Sequence, residues 1–299
     1  MEFSGVYTAI VTPFEGGQVD IASLTRLVRS QVEAGIDGIV ACGTTGESAT
    51  LSDDEIVEVT RCVIEASNGE CHVISGVGSN STHHTCELFK RVADLGVDGA
   101  LVITPYYNKP SQPGLVAHFE MVAACAPEVP VMLYTVPGRT GVGLSVETFA
   151  HLNQIDNIVA LKDAAGDLAL SAEYVQSGHG HANVLSGDDV TALPMWSIGG
   201  QGLVSVAANL CPGLMVEMWR SYRSGDLAKA QAIHGRLLPL FRALFIESNP
   251  LPVKYLMAQL NQIKSGAMRL PLVPVTTQSA KLLSACADSV GLTGAAHHE

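Results

Sequence analysis

The chain has 299 residues, 47% of them apolar and 15% charged, with a formal net charge of −12. This composition supplies a large core and excludes a disordered chain, and its acidity argues against nucleic acid or an anionic membrane as partner while leaving room for a small anion held by one local cation. Seven scattered cysteines with no Cys-x-x-Cys pair read as reduced thiols of a cytoplasmic protein; no apolar run approaches the ~20 residues of a membrane span, and Met1–Gly5 lacks the flank of a secretion signal.

Eight short apolar runs are read as strands: 6–12, 38–42, 72–76, 99–104, 129–135, 158–162, 183–186 and 202–207. Between them apolar residues recur at intervals of three and four, as in Leu24, Leu27, Val28 and Val32, in Ile56, Val59 and Val63, and in Leu88, Val92 and Leu95. That is the spacing of amphipathic helices. Strands that are apolar throughout are covered on both faces, so the alternation predicts an α/β fold with a parallel sheet, closed as a (β/α)8 TIM barrel. A doubly wound open sheet would carry a phosphate-binding glycine turn after its first strand, and Thr12-Pro13-Phe14 is no such turn.

Ala34-Gly35-Ile36-Asp37-Gly38-Ile39-Val40 is echoed by Leu95-Gly96-Val97-Asp98-Gly99-Ala100-Leu101. Each places a helix end and an Asp-Gly turn before a strand, as repeated βα units would. After Ser224-Gly225-Asp226 the strands stop, and helices are expected over 227–245, from Pro250–Pro252 and from about Thr277. The expected organisation is a barrel over 1–224 and a C-terminal helical appendix over 225–299, with a frayed tail Thr293–Glu299.

In such a barrel the strand ends and βα loops carry the chemistry. Lys162 closes the run Asn157-Ile158-Val159-Ala160-Leu161-Lys162, where desolvation would lower the amine pKa and leave some free base to attack a carbonyl. The alternatives are a lysine that snorkels to solvent or pairs with Asp163. Gly43-Thr44-Thr45-Gly46-Glu47-Ser48 reads either as an anion-accepting turn or as a plain turn with a helix cap. Tyr106 and Tyr107, between Pro105 and Pro110, are packing residues or proton carriers. Arg139, after Tyr134-Thr135-Val136-Pro137-Gly138, can clamp a carboxylate or form a surface ion pair. Asp188 and Asp189 follow the seventh strand as possible caps, and Gly202-Leu203-Val204-Ser205-Val206 leaves room for a small ligand.

Metal chemistry is not expected: His83 and His84 are adjacent, His179 and His181 lie in a glycine-rich loop, and His297 and His298 are in the tail. There is no P-loop, dinucleotide fingerprint or Gly-x-Ser-x-Gly elbow.

Taken together, Gly43 to Ser48, Thr104 to Gln112, Tyr134 to Gly141, Leu161 to Asp163, Ser186 to Asp189, Gly202 to Val206 and Glu247 to Lys254 resemble the dihydrodipicolinate synthase branch of the pyruvate-dependent aldolases, which also include N-acetylneuraminate lyase. The resemblance spans nearly the whole chain. It implies that Lys162 forms a Schiff base with pyruvate, that Tyr134 donates and accepts protons, and that Thr45 and Tyr107 complete a relay with Thr44 beside it. It further implies that Tyr107 reaches in from a neighbouring subunit, that Thr45 and Val204 contact pyruvate, and that Arg139 holds the carboxylate of aspartate semialdehyde. No metal or organic cofactor is implied, and the assembly would be a homotetramer built as a dimer of dimers.

Thr135, Asp163 and Ala165 stand where the family often has Asn, Glu and Thr. In the lysine-feedback site of inhibited members, Ser48, Ala49, Asn80 and Tyr106 fit, whereas Asp53, Ile56 and His84 replace frequent His, His and Glu. Weak or absent inhibition by lysine is therefore expected. Two other readings stay open: a pyruvate aldolase acting on a sugar acid or a hydroxyproline-derived acid, against which the turn bearing Arg139 speaks, and a non-catalytic barrel that only binds a small acid.

Overall fold

This computed structural model describes residues 2–292. The expected fraying of Thr293–Glu299, and the tail residues His297 and His298, lie outside the described residues. Among the described residues there are ten strands: β1 (Gly5–Ala9), β2 (Phe14–Glu15), β3 (Gln18–Val19), β4 (Gly38–Ala41), β5 (His72–Gly76), β6 (Gly99–Ile103), β7 (Val131–Thr135), β8 (Ile158–Asp163), β9 (Asn183–Ser186) and β10 (Gly202–Ser205). Eight close into a parallel barrel in the order β1-β10-β9-β8-β7-β6-β5-β4. Helices separate successive barrel strands, which is the (β/α)8 architecture expected from the sequence. Every residue of β1, β4 and β7 is buried, which explains why these strands read as continuous apolar runs.

The sequence does not announce the antiparallel hairpin of β2 and β3, turned by Gly16 and Gly17 at φ of 60° and 83°. The first run also ends sooner than expected. Val11 N–H is taken by the Asn209 side-chain oxygen at 3.1 Å, so the chain leaves the ladder after Ala9.

By internal contacts the chain falls into two compact units. One contains the residues up to Gly5 and His72–Val204, with Phe89, Phe119, Phe149, Tyr174 and Trp196 fully buried. Here Asp98 carries out what the Asp-Gly turn promised: its carboxylate accepts Val73 N–H at 2.7 Å, while its own N–H donates to Val73 O at 2.9 Å.

The other contains Val6–Cys71 and the chain from Ser205 onward, with Tyr7, Phe14, Leu24 and Phe241 fully buried. Asp37 repeats the clasp on Val6, at 2.7 Å through the carboxylate and 3.0 Å through the backbone. Gly35 and Gly96 precede the two clasps at φ of 78° and 81°, a conformation that ends a helix without Cβ strain. Helix Asp53–Ser67 starts with a reciprocal capping box between Ser52 and Glu55. Among the described residues only helices follow β10, the last three being Leu227–Ala243, Leu251–Gln259 and Thr277–Ser289. Among the described residues, no helix is long and apolar enough to cross a membrane.

Candidate active site

Lys162 is the fifth residue of β8 and is only 6% exposed, so it does not snorkel. Nor does it form a strand-end pair with Asp163, since successive strand residues point to opposite faces. Asp163 accepts Ala165 N–H at 2.9 Å and the Ser171 hydroxyl at 2.6 Å, tying the strand end to the following helix. Burial raises the Asp163 carboxyl above the ordinary range, against the pull of those two donors.

The amine of Lys162 lies 4.2 Å from the centroid of the Tyr134 ring, which is itself 5% exposed. Register puts them there, since Tyr134 of β7 pairs with Lys162 of β8. Burial pushes the amine from 10.5 down to about 7; the Asp189 carboxylate opposes the shift, and the Arg139 guanidinium adds to it. Gly187 keeps space for the lysine stem, because a Cβ there would stand 3.1 Å from Lys162 Cε and 2.8 Å from Ala164 Cβ. The site therefore holds a poised amine against a phenol, with one anion and one cation acting on it.

The Arg139 turn is anchored from below. Thr140 is buried, donates to Val142 O at 2.7 Å and accepts the Thr104 hydroxyl at 3.3 Å, which leaves Arg139 exposed on the short helix Pro137–Thr140. Thr135 accepts Leu144 N–H at 3.2 Å and so braces the same loop. Val204 is buried in β10. Tyr107 is 88% exposed at φ 72°, an uncommon backbone state for a bulky residue. Tyr106 is half-buried, Asn80 O accepts from the Asn108 side chain at 2.8 Å, and His84 is exposed in the first turn of helix Thr82–Ala93.

The second unit carries Thr44, Thr45, Ser48 and Ala49. Their turn is internally bonded: Gly46 and Ser48 N–H both reach Gly43 O, and Glu47 N–H reaches Thr44 O. Three of the N–H groups that the sequence offers to an anion are thus engaged within the turn. Ser48 and Ala49 lie in a single 3-10 turn, the former half-buried and the latter exposed.

Thr45 is buried and its hydroxyl oxygen accepts the Asn249 amide at 2.9 Å. Glu47, at φ 56°, meets Lys254 in an ion pair of 2.6 Å with both side chains fully buried. Lys254 also donates to Thr12 O at 3.0 Å, and Arg269 N–H reaches the second Glu47 oxygen at 3.1 Å. Burial lowers the Lys254 pKa, and Glu47 counters this. Sequence reasoning assigned no role to Asn249 or Lys254. The only available signal was that both lie in the motif Glu247 to Lys254. Among the described residues, no cluster of His, Cys, Asp and Glu is arranged to hold a metal ion.

The sequence model of the dihydrodipicolinate synthetase family matches residues 2–289. A 4-hydroxy-tetrahydrodipicolinate synthase of Oleidesulfovibrio alaskensis is 44% identical over 98% of this chain and 100% of its own. A chloride-inhibited dihydrodipicolinate synthase from Acinetobacter baumannii, solved with pyruvate, superposes with a TM-score of 0.94 at 42% identity over 97% of this chain and 99% of its own. The enzyme from Cyanidioschyzon merolae, solved with lysine bound, gives 0.94 at 41% identity over 97% and 99%. The chain belongs to the dihydrodipicolinate synthetase family.

Proposed function

We propose that this protein is a lyase that condenses pyruvate with L-aspartate 4-semialdehyde to 4-hydroxy-tetrahydrodipicolinate, a step toward diaminopimelate and lysine, through a Schiff base on Lys162. The observation that carries this reading is a lysine amine held at about 7 by burial beside a buried phenol. The free amine adds to the pyruvate ketone, water leaves, and the imine draws electrons from the methyl group. Loss of a methyl proton gives an enamine that attacks the aldehyde carbon. The substrate amine then cyclises and displaces Lys162, restoring the enzyme.

Tyr134 is the group to move protons at the lysine, with Thr45 and Tyr107 passing them on and Thr44 supporting the turn. Thr45 and Val204 border pyruvate, and Arg139 orients the anionic aldehyde. The lysine itself serves as electron sink, so no step requires a metal or organic cofactor. The exposure and left-handed backbone of Tyr107 support its use by a neighbouring copy, within a homotetramer built as a dimer of dimers. Seven free thiols support a cytoplasmic location.

Intact-protein mass spectrometry after borohydride reduction tests the central step. A mass increase that requires both pyruvate and Lys162 is expected; no adduct would leave a small-acid-binding barrel. Faster turnover of a sugar acid than of aspartate semialdehyde would assign the chain to another pyruvate aldolase.

A further inference from the structure

Thr45 and Asn249 stand 204 positions apart in the chain, are 3% and 6% exposed, and meet through the Asn249 Nδ2 and Thr45 Oγ1 atoms at 2.9 Å. An amide nitrogen donates and does not accept. At this contact the threonine oxygen is therefore the acceptor, and its single proton is directed to some other group. A hydroxyl otherwise rotates to suit its surroundings. Here the segment that carries the amide is anchored: Lys254, in the helix that follows Asn249, is locked to Glu47 and Thr12 O, and Arg269 N–H closes on the other Glu47 oxygen. The charged groups of these segments thus engage one another.

We propose that Asn249 is a positioning residue for proton transfer by Thr45: its amide sets the direction of the Thr45 hydroxyl, so that this hydroxyl gives its proton to the reacting groups. The inference rests on the reading of Thr45 as part of the relay. It assigns the start of the C-terminal helical region a part in the reaction that strand-end residues alone do not provide.

The test is a set of four proteins, Thr45→Val, Asn249→Ala, the two combined, and Asn249→Asp, each followed by thermal unfolding and by kcat and KM for pyruvate. Asn249→Ala should lower kcat by about tenfold or more with KM changed by less than about threefold, and in the Thr45→Val background it should cost less than about twofold. Asn249→Asp replaces a donor with a carboxylate that only accepts, which turns the Thr45 proton toward it and lowers kcat. Protonation of the introduced carboxyl restores a donor, so the ratio of variant to wild-type kcat should rise as the pH falls from about 8 to about 5.5.

Wild-type kcat in Asn249→Ala, or losses that simply add in the combined variant, would overturn the proposal, as would a pH-independent ratio for Asn249→Asp. If Asn249→Asp does not fold, the cycle of the other three variants decides. Unimpaired Thr45→Val would sink the relay reading together with this inference, whereas impaired Thr45→Val with additive losses sinks this inference alone.

Discussion

Tyr134 and Lys162 occupy paired positions on neighbouring barrel strands, and this register alone sets the amine 4.2 Å from the centre of the phenol ring. The ring face favours a cation, yet burial wins and the amine falls to about 7. Below that value the amine is protonated and cannot attack a ketone. The rate of pyruvate trapping by borohydride should therefore rise with pH through a midpoint near 7. A midpoint near the ordinary lysine value would mean that the amine is solvated.

The same depression costs stability. Between about 7 and the unfolded value of 10.5 the unfolded chain holds the extra proton, so stability rises with pH across that window, and the whole penalty is present below it. Removing the charge should stabilise the fold near neutrality by on the order of 4 kcal/mol. Lys162→Met is expected to lack the pyruvate adduct and to melt several degrees above wild type at neutral pH, with the difference shrinking toward pH 10. A lower melting temperature at neutral pH would contradict it.

Gly187→Ala places a methyl group 3.1 Å from the lysine stem and 2.8 Å from Ala164 Cβ. Overpacking of this kind costs about 1–3 kcal/mol. Adduct formation should slow by about tenfold as the amine is pushed from its seat. Unchanged trapping kinetics would show that the stem can shift at no cost.

Glu47→Gln leaves the Lys254 charge buried without its counter-ion, which should destabilise the fold by about 3–5 kcal/mol. Adding Lys254→Met removes the stranded charge, and the double variant should recover most of the loss. Urea unfolding midpoints give the comparison. A double variant no better than Glu47→Gln would show that the contribution is one of shape.

Lysine should inhibit weakly or not at all, the expectation that the resemblance carries at Asp53, Ile56 and His84. His84 is exposed on the first turn of its helix. A steady-state assay with lysine checks this, and inhibition at sub-millimolar concentration would refute it.

The barrel was legible because its strands are covered on both faces, so each reads as an unbroken apolar run without alternation. The hairpin Phe14–Glu15 with Gln18–Val19 was not, since two-residue strands carry no period. Lys162 stood out as a charge ending an apolar strand, and its desolvation followed from that position alone. The pair Glu47–Lys254 left no local trace: its members are 207 residues apart, and each by itself resembles a surface charge. Tyr106, Asn80 and His84 could be marked only by resemblance, because half-buried and exposed polar residues in loops and first turns carry no periodic pattern.

The clasps Asp37 to Val6 and Asp98 to Val73 each join two strands that are consecutive in the barrel, and neither crosses the turn at Asn68 and Gly69. That exposed turn is thus a seam in the chain, where a permuted protein could take new ends with both fastenings whole. Two aspartates thus fasten each strand pair within itself and leave the turn between the pairs unfastened by either.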